Sequence, residues 1–350
     1  MIQVRQFCHR ARKFGVLTTA RAIAYSVQHP LHNQMMPHSR RRAAILALAI
    51  LSIGGCTRKK STEYVVGFSQ MESDNPYRLA ETKSIKDEAT KRGIQLVVTD
   101  AQGQTAKQVA DVEDLIARKV DMIVLAPRTF DGLTPALEAA KAAKIPVILV
   151  DRAAKGTAGV DYVTELASNY QEQGRRAAEW LAAQTKGTAN IVELSGTPGA
   201  SVADDRAKGF REELAKYPNM KIIASQTGNF SRATGQATMQ NIAQSLGKKI
   251  TAVYAHNDEM AIGAIQALTA AGLKPGTDVI IVSVDGSRAA LEAIDRGELG
   301  ATVESNPRYG PLAFETIEKY RKGEKLPPKI LVNDRFFNRE NVKQFIADAY

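Results

Sequence analysis

The strongest constraint on this chain is an alternation that runs from residue 64 to residue 304. Short apolar runs take turns with longer stretches of helical period. Tyr64–Ser69, Ile94–Thr99, Met122–Ala126 and Ile145–Val150 read as strands. Pro76–Arg92 (stopped by Gly93), Thr105–Arg118 and Gly132–Ala143 read as the helices between them. The pattern then restarts. Helices are expected at Asn169–Gln184, Ser201–Lys216, Ala233–Leu246, Glu259–Ala271 (capped by Gly272) and Arg288–Arg296. Strands are expected at Ala189–Leu194, Lys221–Ser225, Ile250–Tyr254, Val279–Val284 and Gly300–Glu304. Strict alternation means βαβ units and a parallel sheet with helices on both faces. Two successive blocks mean two similar α/β lobes, and 350 residues are enough for both. Tyr162–Ser168 reads as a crossing between the blocks, Pro311–Arg321 as a returning helix, and Pro327–Tyr350 as a strand and a short helix.

The formal charge of +10 is concentrated at the start. Residues 1–55 hold eight Lys and Arg with no Asp or Glu, and removing them leaves 39 basic against 37 acidic residues. A nearly neutral remainder carries no nucleic-acid footprint. Arg40-Arg41-Arg42 followed by the 11 apolar residues Ala43–Ile53 reads as a targeting segment, because the run is too short to span a bilayer. It ends at Ile53-Gly54-Gly55-Cys56, which resembles a bacterial lipobox. The expectation is a leader over 1–55, lipidation at Cys56 and a polar tether over 56–62. Met35 or Met36 is an alternative start to Met1, since such segments begin close to their basic cluster. Cys8 and Cys56 are the only cysteines, so the mature chain would keep no thiol for a disulfide, a nucleophile or structural zinc.

Chemistry-bearing residues gather where strands end and helices begin, at the crevice side of an open α/β sheet. The buried run Ile145–Val150 stops on Asp151-Arg152. A carboxylate only accepts and a guanidinium only donates, so together they suit a hydroxyl that does both. A strand-end salt bridge is the competing explanation. Asn75-Pro76 can cap and start a helix, which leaves Tyr77 and Arg78 facing the crevice, the ring able to stack on a sugar. Arg206 lies one turn into its helix, beside Asp204 and Asp205, which read as surface charge. Phe230 and Arg232 follow another strand. Asn257 can cap or bind, while Asp258 and Glu259 are accounted for by the helix dipole. Asp285 ends a further strand. Gly196–Ser201 reads as a tight turn, lacking both P-loop and dinucleotide spacing. His256, the only histidine beyond the leader, has no histidine partner for a metal. Trp180 reads as packing. The set is planar donors, acceptors and aromatic faces, without an activated nucleophile or a cofactor motif. It points to a binder of a neutral polyol, with no cofactor, metal or catalytic residue.

From residue 62 onward the chain resembles the sugar-binding proteins of bacterial ABC importers, in their ribose-binding-like branch. The resemblance rests on Asn75-Pro76-Tyr77, Ile145-Pro146-Val147 with Asp151-Arg152, Asp205-Arg206 leading to Gly209-Phe210, Phe230-Ser231-Arg232, Ala255–Ala261 and Val284-Asp285-Gly286. Tyr77-Arg78 followed by Ala80-Glu81-Thr82, Ser225-Gln226 with Gly228, and Val303-Glu304 are similar to the galactofuranose-binding branch, although that branch has Trp where Tyr77 stands. The resemblance implies a periplasmic-binding-protein type I fold: two doubly wound parallel-sheet lobes joined by a three-stranded hinge. Its crossings fall near Tyr162–Ser168, Glu304–Asn306 and Ile330–Asn333. The lobes would take 63–165 with 306–330 and 166–305 with 331–350. It also implies ligand contacts from Asn75, Tyr77, Arg78, Asp151, Arg152, Arg206, Phe230, Asn257, Asp285 and Glu304. The implied ligand is a monosaccharide, either a galactose-like hexose in furanose form or a pentose. The implied partners are an ABC permease with its ATPase subunit and the membrane through Cys56, for an extracytoplasmic monomer. A sugar-sensing repressor or chemoreceptor shares the fold, but a repressor needs a helix-turn-helix where this chain has its leader. A nucleotide-dependent enzyme is the remaining alternative.

Overall fold

A computed structural model describes residues 63–350. The leader, the tether, Cys56 and the alternative starts at Met35 and Met36 lie outside the described residues.

The first lobe opens with β1 (Val65–Gln70), α1 (Pro76–Arg92), β2 (Gln95–Asp100), α2 (Thr105–Ala117), β3 (Met122–Leu125), α3 (Thr134–Ala142), β4 (Val147–Val150) and β5 (Thr164–Ala167). The second follows with α4 (Tyr170–Gln184), β6 (Thr188–Ser195), α5 (Ser201–Leu214), β7 (Asn219–Thr227), α6 (Arg232–Leu246), β8 (Ala252–Ala255), α7 (Asp258–Ala270), β9 (Ile280–Asp285), α8 (Arg288–Arg296) and β10 (Ala301–Glu304). The chain then returns as α9 (Gly310–Arg321), which packs on α1 through Arg92–Glu318 at 2.5 Å. Finally β11 (Lys329–Leu331) pairs with β5, and β12 (Phe336–Asn338) pairs with β10.

The two sheets run β11-β5-β4-β3-β1-β2 and β12-β10-β9-β8-β6-β7, parallel except for β12. Each sheet reverses its strand order beside its first strand, the topology that opens a crevice at the carboxyl ends of the strands. Met122–Leu125 and Val147–Val150 are buried on both faces, as parallel strands under two helical layers must be. Helix α1 spans the expected residues: Asn75 caps it through a bond from the Arg78 N–H, Pro76 starts it, and Gly93 stops it at φ 63°.

Two expectations change. Tyr162–Ser168 is not merely a crossing, because it contains β5. That strand pairs with β4 on one side and with β11 on the other, where the Thr164 hydroxyl donates to the Pro327 carbonyl at 2.7 Å. A four-residue strand is too short to show a period of its own. The tail carries two short strands, one in each sheet, and two single 3₁₀ turns (Val342–Gln344 and Ile346–Asp348) instead of a helix. Trp180 does pack, tilted against Phe336 with ring centres 6.5 Å apart.

Candidate functional site

Asn75, Tyr77, Arg78, Asp151, Arg152, Arg206, Phe230, Asn257 and Asp285, all named from the sequence, line one narrow space between the two lobes, together with Glu72 and Val202. The lobes meet around it. The Phe130 N–H donates to the Gly199 carbonyl at 2.9 Å, and the Ala153 N–H to the Ser201 hydroxyl at 3.1 Å.

On the first lobe, Asp151 is the centre. Its carboxylate accepts from Arg78 Nη2 at 2.5 Å and from the Tyr77 and Tyr170 hydroxyls at 3.0 Å each. Burial alone would raise this carboxyl. The Arg78 guanidinium, with Arg152 behind it, overrides burial and holds it below the usual range. Arg78 is divided between two acids, its Nη1 donating to the buried Glu81 at 2.8 Å.

The competing explanation, a salt bridge between Asp151 and Arg152, is therefore not the main pairing. Arg152 Nε stands 3.8 Å from the carboxylate that Arg78 already occupies. Arg152 Nη1 donates to the Arg128 carbonyl at 3.0 Å, and its buried Nε has no partner among the described residues. Its guanidinium lies 5.1 Å from the centre of the Phe230 ring. Burial first, and the charge of Arg78 next, push Arg152 down to about 10.

On the second lobe, Arg206 donates to Gln173 at 2.9 Å, to the His256 carbonyl at 2.6 Å and to Asp285 at 3.3 Å. Burial drives the Asp285 carboxyl well above its ordinary value, with Arg206 pulling the other way. Asn257 does both things its type allows. It caps α7 by accepting from the Met260 N–H at 3.0 Å and donates to the Phe230 carbonyl at 3.1 Å. The Phe230 ring lies across Gly196, where a β-carbon would come within 2.0 Å of it. The turn expected to be merely tight thus also makes room for an aromatic wall.

Three site residues hold left-handed or neighbouring backbone: Asp151 at φ 64°, Phe230 at 59° and Asp285 at 134°. Such conformations cost about 1–3 kcal/mol each and gather at functional sites. Here they turn side chains at strand or turn ends into the space between the lobes.

Some expectations fail. Glu304 does not reach the cleft. Its carboxylate is held by Arg335, from the backbone N–H at 2.9 Å and the guanidinium at 2.5 and 2.8 Å, where the chain leaves β10. Asp258 does stand in the first turn of α7, where the dipole accounts for it, but it also has a structural role. It is fully buried and accepts from the Ser283 and Thr302 hydroxyls at 2.5 and 2.7 Å and from the Ser287 N–H at 2.7 Å. It therefore ties β9 and β10 to the turn that carries Asp285. Glu259 pairs with Arg232 at 2.7 Å. His256 is buried. Its Nδ1 accepts from the Gly196 N–H at 3.3 Å, which leaves the proton on Nε2 to donate to Glu193 at 3.3 Å. Glu72 and Tyr170 were not singled out from the sequence, although both sit at strand–helix junctions. Glu72 pairs with Arg128 and Tyr170 with Asp151.

Two lobes, crossings at their shared edge and convergent polar groups between them define a two-lobed ligand-binding protein. The chain belongs to the periplasmic binding protein family, whose domain model matches residues 66–325. It is 41% identical over 289 residues to the galactofuranose-binding protein YtfQ of Escherichia coli (strain K12), covering 82% of this chain and 91% of that one. It is 35% identical to the ribose import binding protein RbsB of Bacillus subtilis (strain 168), covering 77% and 85%. Among solved structures, the binding component of the arabinose ABC transporter from Shewanella sp. ANA-3, bound to α- and β-L-arabinofuranose, superposes with a TM-score of 0.79. It is 43% identical and covers 81% of this chain and 95% of that one.

Proposed function

We propose that this chain is the extracytoplasmic solute-binding protein of an ABC-type sugar importer, that it holds one monosaccharide between its lobes, and that the monosaccharide is in furanose form. The observation that carries this reading is the convergence of Arg78, Arg152, Arg206, Asp151, Asp285, Asn257, Tyr77 and Phe230 on one space between the lobes. Guanidiniums and carboxylates from both lobes suit a ring that carries hydroxyls around its rim, and Tyr77 and Phe230 suit its apolar faces. The furanose preference is supported by the relatives above, two of which are named for galactofuranose or carry arabinofuranose.

The first lobe is proposed to hold β1–β5 with α9 and β11, and the second lobe the remainder. On this reading the three crossings hinge, and Glu304–Arg335 ties one of them to the tail. Cys56 is proposed as a lipid anchor, with a permease and its ATPase subunit as the partners in the membrane. Calorimetric titration with L-arabinose, D-galactose and D-ribose, beside native mass spectrometry of protein purified without added sugar, tests the reading. Saturable binding and a smaller radius of gyration with ligand are expected. A protein that binds none of these sugars and co-purifies with none refutes it.

A further inference from the structure

Residues 339–350, beyond β12, are docked on the second lobe. Val342 is buried in that lobe's core, and Phe345 packs on Phe337 with ring centres 5.1 Å apart. Arg288, at the start of α8, clamps the segment. Its guanidinium donates to the carbonyls of Ile346, Ala347 and Ala349 at 2.8, 3.1 and 2.7 Å, and its backbone N–H donates to the Tyr350 carbonyl at 2.8 Å. The Tyr350 ring then leaves the lobe that holds it and meets Tyr77 of the first lobe edge-on, with centres 6.1 Å apart and planes at 81°. Arg308 closes its other side, 5.9 Å from the ring centre. Tyr77 is the residue that donates to Asp151. The Tyr350 hydroxyl is buried with no partner among the described residues, so the contact with Tyr77 is one of rings.

We propose that Tyr350 is a positioning residue of the ligand site: held on the second lobe by Arg288, its ring braces Tyr77 of the first, and the closed cleft keeps its ligand only while that contact is made. The contact joins the two lobes from behind Tyr77, which lines the ligand space, while Tyr350 is not among the residues that line it. It therefore forms on closure and breaks on opening, and its loss acts on the lifetime of the complex and not on encounter.

This inference rests on the sugar-binding reading above. The test uses stopped-flow and calorimetric titration with L-arabinose or D-galactose, whichever binds the wild type more tightly. An edge-to-face aromatic pair contributes about 0.5–1.5 kcal/mol beyond its area, roughly a 2- to 12-fold change in an equilibrium constant. Tyr350→Ala is expected to speed dissociation by that factor and to leave association within twofold. Arg288→Ala, which frees the segment while leaving the ring intact, is expected to move dissociation the same way. Tyr350→Phe keeps the ring and is expected to behave as the wild type within twofold. A wild-type dissociation rate in Tyr350→Ala overturns the brace, as does a loss in Tyr350→Phe equal to that in Tyr350→Ala. Failure of the wild type to bind any sugar overturns instead the reading on which the brace rests.

Discussion

Replacing Arg152 with alanine separates a binding residue from an architectural one. Asp151 already has Arg78 at 2.5 Å and two tyrosine hydroxyls at 3.0 Å, so it keeps its partners when Arg152 is gone. Arg152 itself gives the fold one bond, to the Arg128 carbonyl, and has a buried Nε with no partner. A buried donor left unmatched costs about 1–3 kcal/mol, which offsets most of what that single bond returns. The melting temperature of the unliganded variant is therefore expected to move little, or to rise. Ligand affinity is different. A sugar oxygen accepting from Nε is a hydrogen bond to a charged group, about 1.5–3 kcal/mol in a closed cleft. Its loss corresponds to roughly 10- to 150-fold in Kd. Arg152→Lys is expected to recover only part of this, because an ammonium cannot reproduce the planar fork over Phe230. Arg78→Ala is the contrasting control. It strands the buried Asp151 and Glu81 carboxylates and is expected to lose about 3–5 kcal/mol of stability. Calorimetric titration of Arg152→Ala beside its melting curve decides the matter. Unchanged affinity together with a clearly lowered melting temperature would refute the argument.

Gly196→Ala puts a β-carbon within 2.0 Å of the Phe230 ring, so the ring must leave the cleft wall; affinity is expected to fall at least tenfold with the fold retained by circular dichroism. Asp258 is raised by burial to about 6 from 3.8, so the folded protein takes up its proton before the unfolded chain does. The group therefore costs no stability below about pH 4, and stability falls by about 3 kcal/mol at most as pH rises through 6. Urea titrations between pH 4 and 7 should show that fall in the wild type and a flatter curve in Asp258→Asn. Cys56→Ala is expected to release the protein from the membrane fraction; a wild type that fractionates without detergent as a soluble protein would remove the anchor.

The parts of the fold legible in the sequence were those set locally. Asn75, Pro76 and Gly93 mark both ends of α1 because capping, a fixed φ and a left-handed stop are properties of single residues. Nine of the ten implied ligand residues line the cleft because a carboxylate or guanidinium at the end of a buried strand has few other places to go. The misreadings came from partners distant in sequence. Strand β5 lies between β4 and residues 329–331, and its four residues are too few for a period to announce it. Glu304 was taken for a ligand residue because nothing near it in sequence shows that Arg335 would neutralise it. Asp258 keeps its place in the first turn of α7, but its burial has no signal nearby in sequence, because its three donors lie on β9, β10 and the turn before α8. The competing salt bridge between the adjacent Asp151 and Arg152 gives way to Arg78, 73 residues earlier, which holds the carboxylate.

That reassignment changes what the cleft can select. Had Asp151 and Arg152 satisfied each other, the site would offer a closed ion pair, and a sugar would have to break it. As built, the carboxylate is balanced within the first lobe by Arg78, while Arg152 stands free of a close acid, in contact with Phe230 across the lobe boundary. On the second lobe Arg206 stands only 3.3 Å from Asp285, a long contact for an ion pair. The strongest pairing thus lies on the first lobe, and so does the buried donor without a partner, Arg152 Nε, next to Phe230 of the second. A ligand with acceptor oxygens around its ring gains most by bridging Arg152 to Arg206 past the Phe230 face, which joins the lobes. On the proposed function, the donors that take the sugar are then the ones that its departure leaves unmatched, and binding is expected to be coupled to closure.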